Sequence, residues 1–307
     1  MYFSFKDGDP IAIVENFKHK KSKKKIIYIS DKEDPEVNEI IDFIDDNLFN
    51  GYVPYQSIHN IRRAIKEGHV PYEPKLRKLY EIALLKASEI SKKSLKIENG
   101  TIQPIPSIDE REIIYICGPS GSGKSVFASN YIKQYNKLFH KNPIYVFSRV
   151  ENDPAFDKLK NLNYIPLTED ILDKEIHSNQ FTDSLVLFDD IDTEPNPKIK
   201  EYLDKLKAEL LETGRHTNTY LVITSHLISN YRETRKVLNE FHAIVLFPSS
   251  GGRSQMDYIL SRQFGLTKKN ITRLFDLVKG SRWIFIYKHY PQYVIYNHGV
   301  FFLNSLS

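Results

Sequence analysis

The segment 118–125 constrains this chain of 307 residues more than any other feature of its sequence. It reads G-x-x-x-x-G-K-S, the pattern of a phosphate-binding P-loop, with an apolar run before it and a helix-like segment after it. The motif needs this strand–loop–helix context, because the backbone N–H groups of the loop and the helix N-terminus face the phosphates. The pattern predicts a nucleotide-binding core. A glycine-rich turn that binds no nucleotide is the alternative.

The loop also predicts individual roles for ATP and Mg²⁺ binding. Lys124 is expected to reach the β- and γ-phosphates, and the Ser125 hydroxyl is expected to bind Mg²⁺. Glycines allow the loop backbone to turn its N–H groups toward the phosphates. The other predicted contacts to the nucleotide come from Gly118, Pro119, Ser120, Gly121, Ser122, Gly123 and Val126.

Composition and charge bear on whether the chain binds nucleic acid, contains disulfides or crosses a membrane. The formal net charge is only +4, which is weak evidence for a nucleic-acid partner. Cys117 is the single cysteine, so an intrachain disulfide is impossible, and a small buried thiol is expected there. No apolar run approaches the ~18 residues of a membrane span, and the N-terminus lacks a signal-peptide pattern. We therefore expect a soluble, intracellular protein.

Residues 1–108 are predicted to form an accessory α+β region. Apolar runs near 11–14 and 26–29 indicate strands, and helical spacing of apolar residues indicates helices over 35–48 and 74–92. The basic run at 18–25 lies between the two strands. It is either a solvated hairpin loop or a contact for nucleic acid or nuclear import.

Strand and helix patterns alternate from Arg111 onward, which predicts a parallel α/β sheet in an ATPase domain at 109–307. A turn at 289–291 is expected to close the chain as a β-hairpin. The predicted strands are 112–117, 143–147, 184–191, 219–225 and 242–247, then 282–287 and 292–296 in the hairpin. The predicted helices are 124–139, 196–213, 230–239, 254–264 and 267–278.

A second motif lies at 184–191, where four apolar residues precede two acids. This is the pattern of a Walker B strand, buried on both faces of a parallel sheet. Asp189 is then expected to hold Mg²⁺, and Asp190 to orient or deprotonate the attacking water. The alternative is a pair of carboxylates that cap the next turn. Asp192 is interpreted as a turn or cap residue.

Two further side chains flank the next strand, 220–225. Arg215 precedes it and is a candidate arginine finger for a neighbouring subunit, or else an ordinary surface arginine. His226 follows it and is a candidate to sense the γ-phosphate or hold the attacking water, or else a histidine that is simply hydrogen-bonded. No metal-like histidine spacing is visible, so no zinc site is predicted.

The order of four segments resembles the FtsK–HerA superfamily of P-loop translocases, and within it the genome-packaging ATPases of large double-stranded DNA viruses. The segments are 115–125, 187–190, 214–218 and 222–226. The resemblance implies a RecA-like core, a mainly parallel sheet with helices on both faces, a ring-shaped homo-oligomer and ATP-driven movement of duplex DNA. It assigns Lys124 and Ser125 to phosphate and Mg²⁺, Asp189 to Walker B, and Arg215 to a finger acting in trans. Two positions depart from the family, which often has Glu at Asp190 and Gln at His226.

Residues 251–290 carry concentrated positive charge, with eight lysines and arginines against Asp257 and Asp276. Such a region suits phosphate contacts that do not depend on base sequence. The loop 249–253 is a candidate to face the pore of a ring. The alternative is that these charges lie on solvated helix faces. The cations are Arg253, Arg262, Lys268, Lys269, Arg273, Lys279, Arg282 and Lys288.

The sequence therefore predicts an ATP-hydrolysing translocase of double-stranded DNA, most concretely a viral packaging motor that docks on a capsid or other virion protein. A P-loop kinase acting on a small molecule is one alternative. A phage-type assembly or secretion ATPase is another, although that type often has a transmembrane segment and none is visible here.

Overall fold

The computed structural model describes residues 1–15, 25–31, 41, 44–45, 48–91, 93–97, 100–150, 153–156, 159–226 and 231–306. These residues form two compact units. The first comprises residues 1–101 and 298–305, and the second comprises 102–297 with the last two residues. The boundary predicted at 108/109 stays a prediction.

The first unit contains short antiparallel strands. Strand β3 (Lys25–Ser30) pairs with β1 (Tyr2–Ser4) and with β2 (Asp9–Glu15). Strand β4 (Ser94–Lys96) pairs with β14 (Gly299–Phe302). A further strand, β5 (Thr101–Pro104), begins at the boundary between the units.

Two helices supply the core of the first unit. Helix α1 (Tyr55–Glu67) ends at Gly68, whose positive φ of 71° forms a left-handed cap, and α2 (Pro74–Ser91) follows. Apolar residues spaced by three or four positions face each other across the two helices. The buried cluster contains Ile44, Leu48, Phe49, Ile58, Ile61, Ile65, Ala83 and Ala87.

The predicted α+β character of this region is confirmed, with β2, β3 and α2 at the expected places. Helix α1 was not predicted, although its apolar spacing is regular. The basic run at 18–24 and most of the helix predicted at 35–48 lie outside the described residues.

The second unit is built on a mostly parallel sheet. Within it the strand order is β13-β12-β11-β6-β10-β9-β7-β8, with β11 to β8 parallel and with β12 and β13 antiparallel. The strands are β6 (Ile113–Cys117), β7 (Ile144–Ser148), β8 (Leu162–Pro166), β9 (Leu185–Asp189), β10 (Tyr220–Ser225), β11 (Ala243–Leu246), β12 (Ile284–Tyr287) and β13 (Tyr293–Tyr296).

Five helices connect these strands. They are α3 (Lys124–Leu138), α4 (Pro197–Thr213), α5 (Tyr231–Glu240), α6 (Arg253–Phe264) and α7 (Lys268–Leu277). Helix α4 begins where the Asn196 side chain accepts a hydrogen bond from the N–H of Lys198, and Pro197 occupies its first turn.

The central strands β6, β9 and β10 are buried at every residue. Because successive side chains point to opposite faces of a strand, the sheet is covered on both faces. Strand β10 lies between the P-loop strand β6 and the Walker B strand β9. This is the predicted RecA-like P-loop fold with its closing β-hairpin, β12–β13, and the prediction is confirmed.

Two details of the predicted sheet were wrong or incomplete. The Walker B strand was expected to reach Ile191, but it ends at Asp189 because Asp190 adopts a left-handed conformation with φ of 48°. Strand β8 was not predicted. It is short and only partly buried, and it extends the sheet in parallel beside β7.

Candidate functional site

Strand register brings the predicted motifs to one edge of the sheet. Cys117 of β6 is paired with Ser225 of β10, and Asp189 of β9 is paired with Ser148 of β7. These residues all lie at the carboxyl ends of parallel strands, where ligands bind in open α/β sheets. We call this the carboxyl edge, and we call the opposite side of the same strands the amino edge.

The P-loop backbone has the form of an anion cradle. Gly121 and Gly123 have φ values of 76° and 109°, which glycine adopts at no steric cost. A Cβ at Gly118 would lie 2.7 Å from the Ser122 hydroxyl and 2.8 Å from the Phe247 ring. The Ser122 hydroxyl is buried and has no hydrogen-bond partner among the residues that the structure describes, so the loop retains a polar atom for a ligand. These features fit a nucleotide phosphate.

Lys124 joins the loop to the acidic strand. Its side chain is 6% exposed. The ammonium group donates to the carbonyl oxygen of Gly118 at 3.0 Å and lies 3.3 Å from Oδ2 of Asp190. A buried ammonium group is costly without such partners. The cation therefore lies between the loop that would bind phosphate and the carboxylate that follows Walker B.

Asp189 is held by two hydroxyl groups. Ser148 donates to its Oδ2 at 3.0 Å, and the Thr224 hydroxyl lies 2.9 Å from its Oδ1. Burial raises the pKa of Asp189, because the charged form loses hydration, while these hydrogen bonds oppose the shift. A cation such as Mg²⁺ would compensate the charge that burial disfavours.

Asp190 turns away from the strand and toward the P-loop. Its N–H donates to the Thr224 hydroxyl at 2.8 Å, and its Oδ2 lies 3.0 Å from Nε2 of His226. The left-handed backbone is uncommon for a residue with a side chain. It aims this carboxylate at both Lys124 and His226, so the structure brings together four of the predicted residues.

Asp192 lies in the turn predicted for it. Its Oδ2 accepts hydrogen bonds from the Ser225 hydroxyl at 2.8 Å and from the N–H of His226 at 3.1 Å. The carboxylate thus fixes the end of β10 and, with it, the place from which the His226 side chain extends.

Arg215 is not part of this cluster in its own chain. It precedes β10, whereas the P-loop follows β6, and these two strands are parallel. The six residues of β10 span about 20 Å, so Arg215 lies at the amino edge. Its side chain is exposed, and its Nε donates to Nε2 of His216 at 3.4 Å.

Arg111 fixes the segment that carries Arg215. Its guanidinium group is buried and donates to the carbonyl oxygens of Leu210 and Leu211 at 2.9 and 2.8 Å. These carbonyl groups lie in the last turn of α4, where helix geometry leaves acceptors over, and that of Leu210 also accepts the N–H of Gly214 at 3.0 Å. The arginine satisfies them and lies against Gly214.

Ser148, Thr224 and Arg282 contact the site but were not assigned roles from the sequence. Ser148 and Thr224 had one available signal, a polar residue at the end of a buried strand. Arg282 had none. It was grouped with the basic residues of 251–290, yet its Nε donates to the carbonyl oxygen of Ser122 in the P-loop at 3.2 Å.

The other cations of 251–290 divide into two groups. Three have partners within the chain, namely Asp257 for Arg253, the carbonyl of Leu306 for Arg273, and the carbonyls of Leu238 and Asn239 for Lys288. Four others are exposed on or beside α6 and α7. They are Arg262, Lys268, Lys269 and Lys279.

The described residues contain neither a ready-made metal cluster nor a membrane-spanning helix. No group of three or more His, Cys, Asp or Glu side chains in this part of the chain is arranged to hold a metal ion by itself. None of the described helices is long and apolar enough to cross a membrane. Cys117 is buried, and burial raises its pKa.

Comparison with known proteins gives one clear relative. The chain is 39% identical over 214 residues to an uncharacterized protein, V3, of Sputnik virophage, and this match covers 69% of the chain and 85% of V3. No protein-family model matches.

Three of the solved structures that are similar to this chain are an NTPase, a conjugation coupling protein and a protein with ATPase domains. The genome-packaging NTPase B204 of Sulfolobus turreted icosahedral virus 2 is 13% identical, with a TM-score of 0.40 over 62% of this chain and 96% of B204. The pCW3 conjugation coupling protein TcpA is 15% identical, with a TM-score of 0.41 over 70% and 69%. EssC of Geobacillus thermodenitrificans is 13% identical, with a TM-score of 0.40 over 62% and 40%.

Proposed function

Because this chain belongs to the same protein family as V3 of Sputnik virophage, and because its carboxyl edge assembles a nucleotide site, we propose that it is an ATPase that moves double-stranded DNA during viral genome packaging. It resembles the FtsK–HerA superfamily in the order of its motifs and in its mostly parallel sheet. The observation that carries the proposal is the convergence of Lys124, Asp189 and Asp190 at the end of β9.

ATP would be bound at residues 118–126, by backbone N–H groups of the loop and by the Lys124 ammonium group. Pro119 has no N–H, and that of Gly118 already donates to the Ser225 carbonyl at 3.1 Å. Ser125 and Asp189 would hold Mg²⁺, which neutralises charge on the phosphates. The Ser125 side chain is half-buried in the first turn of α3, and Asp189 is fixed by Ser148 and Thr224. The carboxylate is therefore oriented before any ligand arrives, which avoids an ordering cost on binding.

Asp190 is the proposed general base. Its carboxylate is partly exposed, so a water molecule can reach it, and its backbone is anchored to Thr224. His226 contacts the same carboxylate oxygen as Lys124 and holds it in place. We propose that Asp190 accepts a proton from the attacking water while His226 maintains its orientation.

Arg215 would complete the site of a neighbouring subunit. At the amino edge it is about one strand length from its own P-loop, so it has no path to the phosphates of its own chain. A head-to-tail contact between subunits joins two different surfaces and closes into a ring when the rotation permits. The proposed ring therefore places Arg215 of one subunit against the carboxyl edge of the next.

DNA contact is proposed for the exposed side of α6 and α7 and for the loop that precedes α6. Strand β11 is parallel to β6, so the loop after it lies on the carboxyl edge, and Phe247 packs against Gly118 of the P-loop. Lys268, Lys269 and Lys279 are exposed and are expected to contact phosphates without base specificity. A capsid or other virion protein is the further proposed partner.

The direct test is ATP hydrolysis by the purified chain, with and without long duplex DNA, at low and high salt. The Asp190→Asn variant gives the background rate. The proposal predicts hydrolysis stimulated by DNA, with stimulation that weakens as salt rises because phosphate contacts release counterions. Hydrolysis indifferent to DNA would contradict translocation. Transfer of phosphate to a nucleoside or another small molecule would favour a kinase instead.

A further inference from the structure

Arg282 lies at the P-loop of its own chain. It immediately precedes Trp283 and β12, and its Nε donates to the carbonyl oxygen of Ser122 at 3.2 Å. Its guanidinium atoms lie 3.1–3.2 Å from the point where a Cβ on Gly123 would be. The cation therefore sits directly against the residue that precedes Lys124 and α3.

A local network holds the segment that carries Arg282. The Ser281 hydroxyl donates to Oδ1 of Asn297 at 2.6 Å, and the same Asn297 oxygen accepts the N–H of Arg282 at 3.0 Å. On the other side, Trp283 packs edge-on against Phe127 of α3, with ring centroids 4.9 Å apart. The backbone of Arg282 is thus held by contacts of both neighbouring residues, which fixes the point from which its side chain extends.

The guanidinium group keeps donors for a ligand. Its one hydrogen bond among the described residues uses Nε, so the N–H groups of Nη1 and Nη2 are left for a ligand, with Nη2 beside Gly123. The same loop contains the buried Ser122 hydroxyl, for which the described part of the chain offers no hydrogen-bond partner. Arginine presents its N–H groups in a planar fork that matches phosphate oxygens, and this is its usual advantage over lysine.

We propose that Arg282 binds the phosphate chain of the nucleotide held by its own subunit. This rests on the proposed nucleotide-binding function. Each site then has one arginine from the same chain, Arg282, and one from the neighbouring chain, Arg215. Arg282 also links the segment that leads into β12 to the P-loop through Ser122.

Arg282 is therefore not counted among the basic residues of 251–290 that are expected to contact DNA. A lysine or arginine that binds DNA phosphates has to be free at the protein surface, whereas Arg282 is tied to Ser122 and stands over Gly123. Arg262 on α6 is also exposed and lies over the Tyr258 ring, away from the P-loop residues, so it provides a matched control for nucleotide binding.

The test compares Arg282→Gln, Arg282→Lys and Arg262→Gln with the unmodified protein. Titrations measure the affinity of each for ADP, for ATPγS and for inorganic tripolyphosphate, which is the phosphate chain alone. Glutamine keeps an N–H donor for Ser122 but lacks the charge. We expect Arg282→Gln to lower the affinity for all three ligands about 10- to 100-fold. Arg282→Lys should recover part of this loss of affinity. Arg262→Gln should bind ADP, ATPγS and tripolyphosphate as tightly as the unmodified protein does.

Several outcomes would overturn the inference. One is unchanged affinity in Arg282→Gln. Another is a loss for ADP and ATPγS without a loss for tripolyphosphate, which would place Arg282 at the base or ribose. A third is weaker duplex-DNA binding in Arg282→Gln with nucleotide affinity intact. Thermal unfolding checks that the variants fold, and a loss of affinity that merely follows a loss of folded protein also counts against it.

Lys124→Ala separates this inference from the proposed function. If the unmodified protein binds ATPγS and Lys124→Ala does not, the P-loop site stands, and the Arg282 result then decides the inference alone. If the unmodified protein binds neither nucleotide nor tripolyphosphate, the proposed function fails, and the inference fails with it.

Discussion

The two edges of the parallel sheet differ in how completely their charged groups are paired within one chain. At the carboxyl edge, Lys124 and His226 both contact Asp190, and Asp189 is held by two hydroxyl groups. At the amino edge, Arg111 is buried against the end of α4, but Arg215 extends into solvent. One edge is organised to bind a ligand, whereas the other presents a cation outward.

This difference is what the proposed division of the site between two subunits requires. In a parallel sheet, the residues that directly follow each strand lie at the same edge. The P-loop, the Walker B acids and His226 therefore lie close together as a result of the strand direction alone. The same parallel arrangement carries Arg215 to the other edge. A chain of this topology has the proposed nucleotide site at one edge and Arg215 at the other. The predictions below test the two edges separately.

The largest expected effect is at the amino edge. Arg215→Ala should lower turnover roughly 10³- to 10⁵-fold while leaving ATP affinity close to that of the unmodified protein, because the finger acts on the transferring phosphoryl group. Steady-state hydrolysis and equilibrium titration with ATPγS measure the two properties. His216→Ala, which removes the side chain that Arg215 contacts, is the control and should retain turnover. Normal hydrolysis by Arg215→Ala would show that the finger is elsewhere.

The next effect is at the carboxyl edge. Asp190→Asn should lower turnover roughly 10²- to 10⁴-fold, because the amide cannot accept a proton from water. Binding of ATPγS should persist, since Lys124 loses a carboxylate neighbour but keeps the Gly118 carbonyl. Single-turnover hydrolysis measures the chemical step. A rate near that of the unmodified protein would assign the base to another group.

The two ends of β10 allow a matched comparison. Thr224→Val removes a hydroxyl that orients both acids, and Thr219→Val removes a buried hydroxyl that donates to the carbonyl of Phe181 at 2.8 Å. Each change should cost about 1–3 kcal/mol of unfolding free energy. Only Thr224→Val should also lower turnover, by about 10- to 100-fold. Equal turnover in the two variants would remove Thr224 from the site.

Gly214→Ala tests the support of the amino edge. A Cβ at this position would lie 2.5 Å from the carbonyl oxygen of Leu210 and would press on the Arg111 guanidinium group. We expect a loss of about 1–3 kcal/mol in unfolding free energy and lower turnover through displacement of Arg215. Nucleotide affinity should not change, and chemical denaturation with ATPγS titration checks both. A fully stable variant would mean that the turn accommodates a methyl group.

The smallest expected effect is a pH dependence of stability. Burial raises the pKa of Glu112, just before β6, to about 7, against the hydrogen bonds from Tyr131 and from the N–H of Ser107. The folded chain then holds this proton longer than the unfolded chain, so the unfolding free energy falls as pH rises from about 4.5 to about 7. Glu112→Gln should lack this component.

Chemical denaturation at about pH 5 and about pH 8 measures this difference. Relative to the unmodified protein, Glu112→Gln should gain stability at the higher pH. Glu110→Gln, an exposed neighbour, should show no such trend. A parallel pH response of the unmodified protein and Glu112→Gln would show that the Glu112 carboxyl is ionised throughout.

Much of the carboxyl edge could be predicted because its signals are local. The P-loop is a contiguous motif, and Asp189 and Asp190 follow a strand whose apolar run shows that it is buried. Parallel connection then implies their proximity. The left-handed turn at Asp190 has no sequence signal, since the residue itself is an ordinary acid, and the strand was predicted two residues too long.

Contacts made by distant segments could not be predicted in this way. Arg282 is 160 residues from Ser122, and its position depends on how β12 returns beside β11. Ser148 contacts Asp189 only because β7 is the neighbour of β9. By contrast, the unpredicted helix α1 has readable spacing in Ile58, Ile61 and Ile65. The roles of Arg215 and His226 remain predictions that only kinetics can test.

The most direct test of the central claim mixes two inactive variants. Arg215→Ala and Lys124→Ala each lack a different half of the proposed shared site. In a head-to-tail ring with random exchange of subunits, about a quarter of the interfaces join an intact P-loop to an intact finger. The account predicts that the mixture regains DNA-stimulated ATP hydrolysis toward that fraction. A mixture that stays inactive, although its subunits exchange and Arg215→Ala alone binds ATPγS, would contradict it.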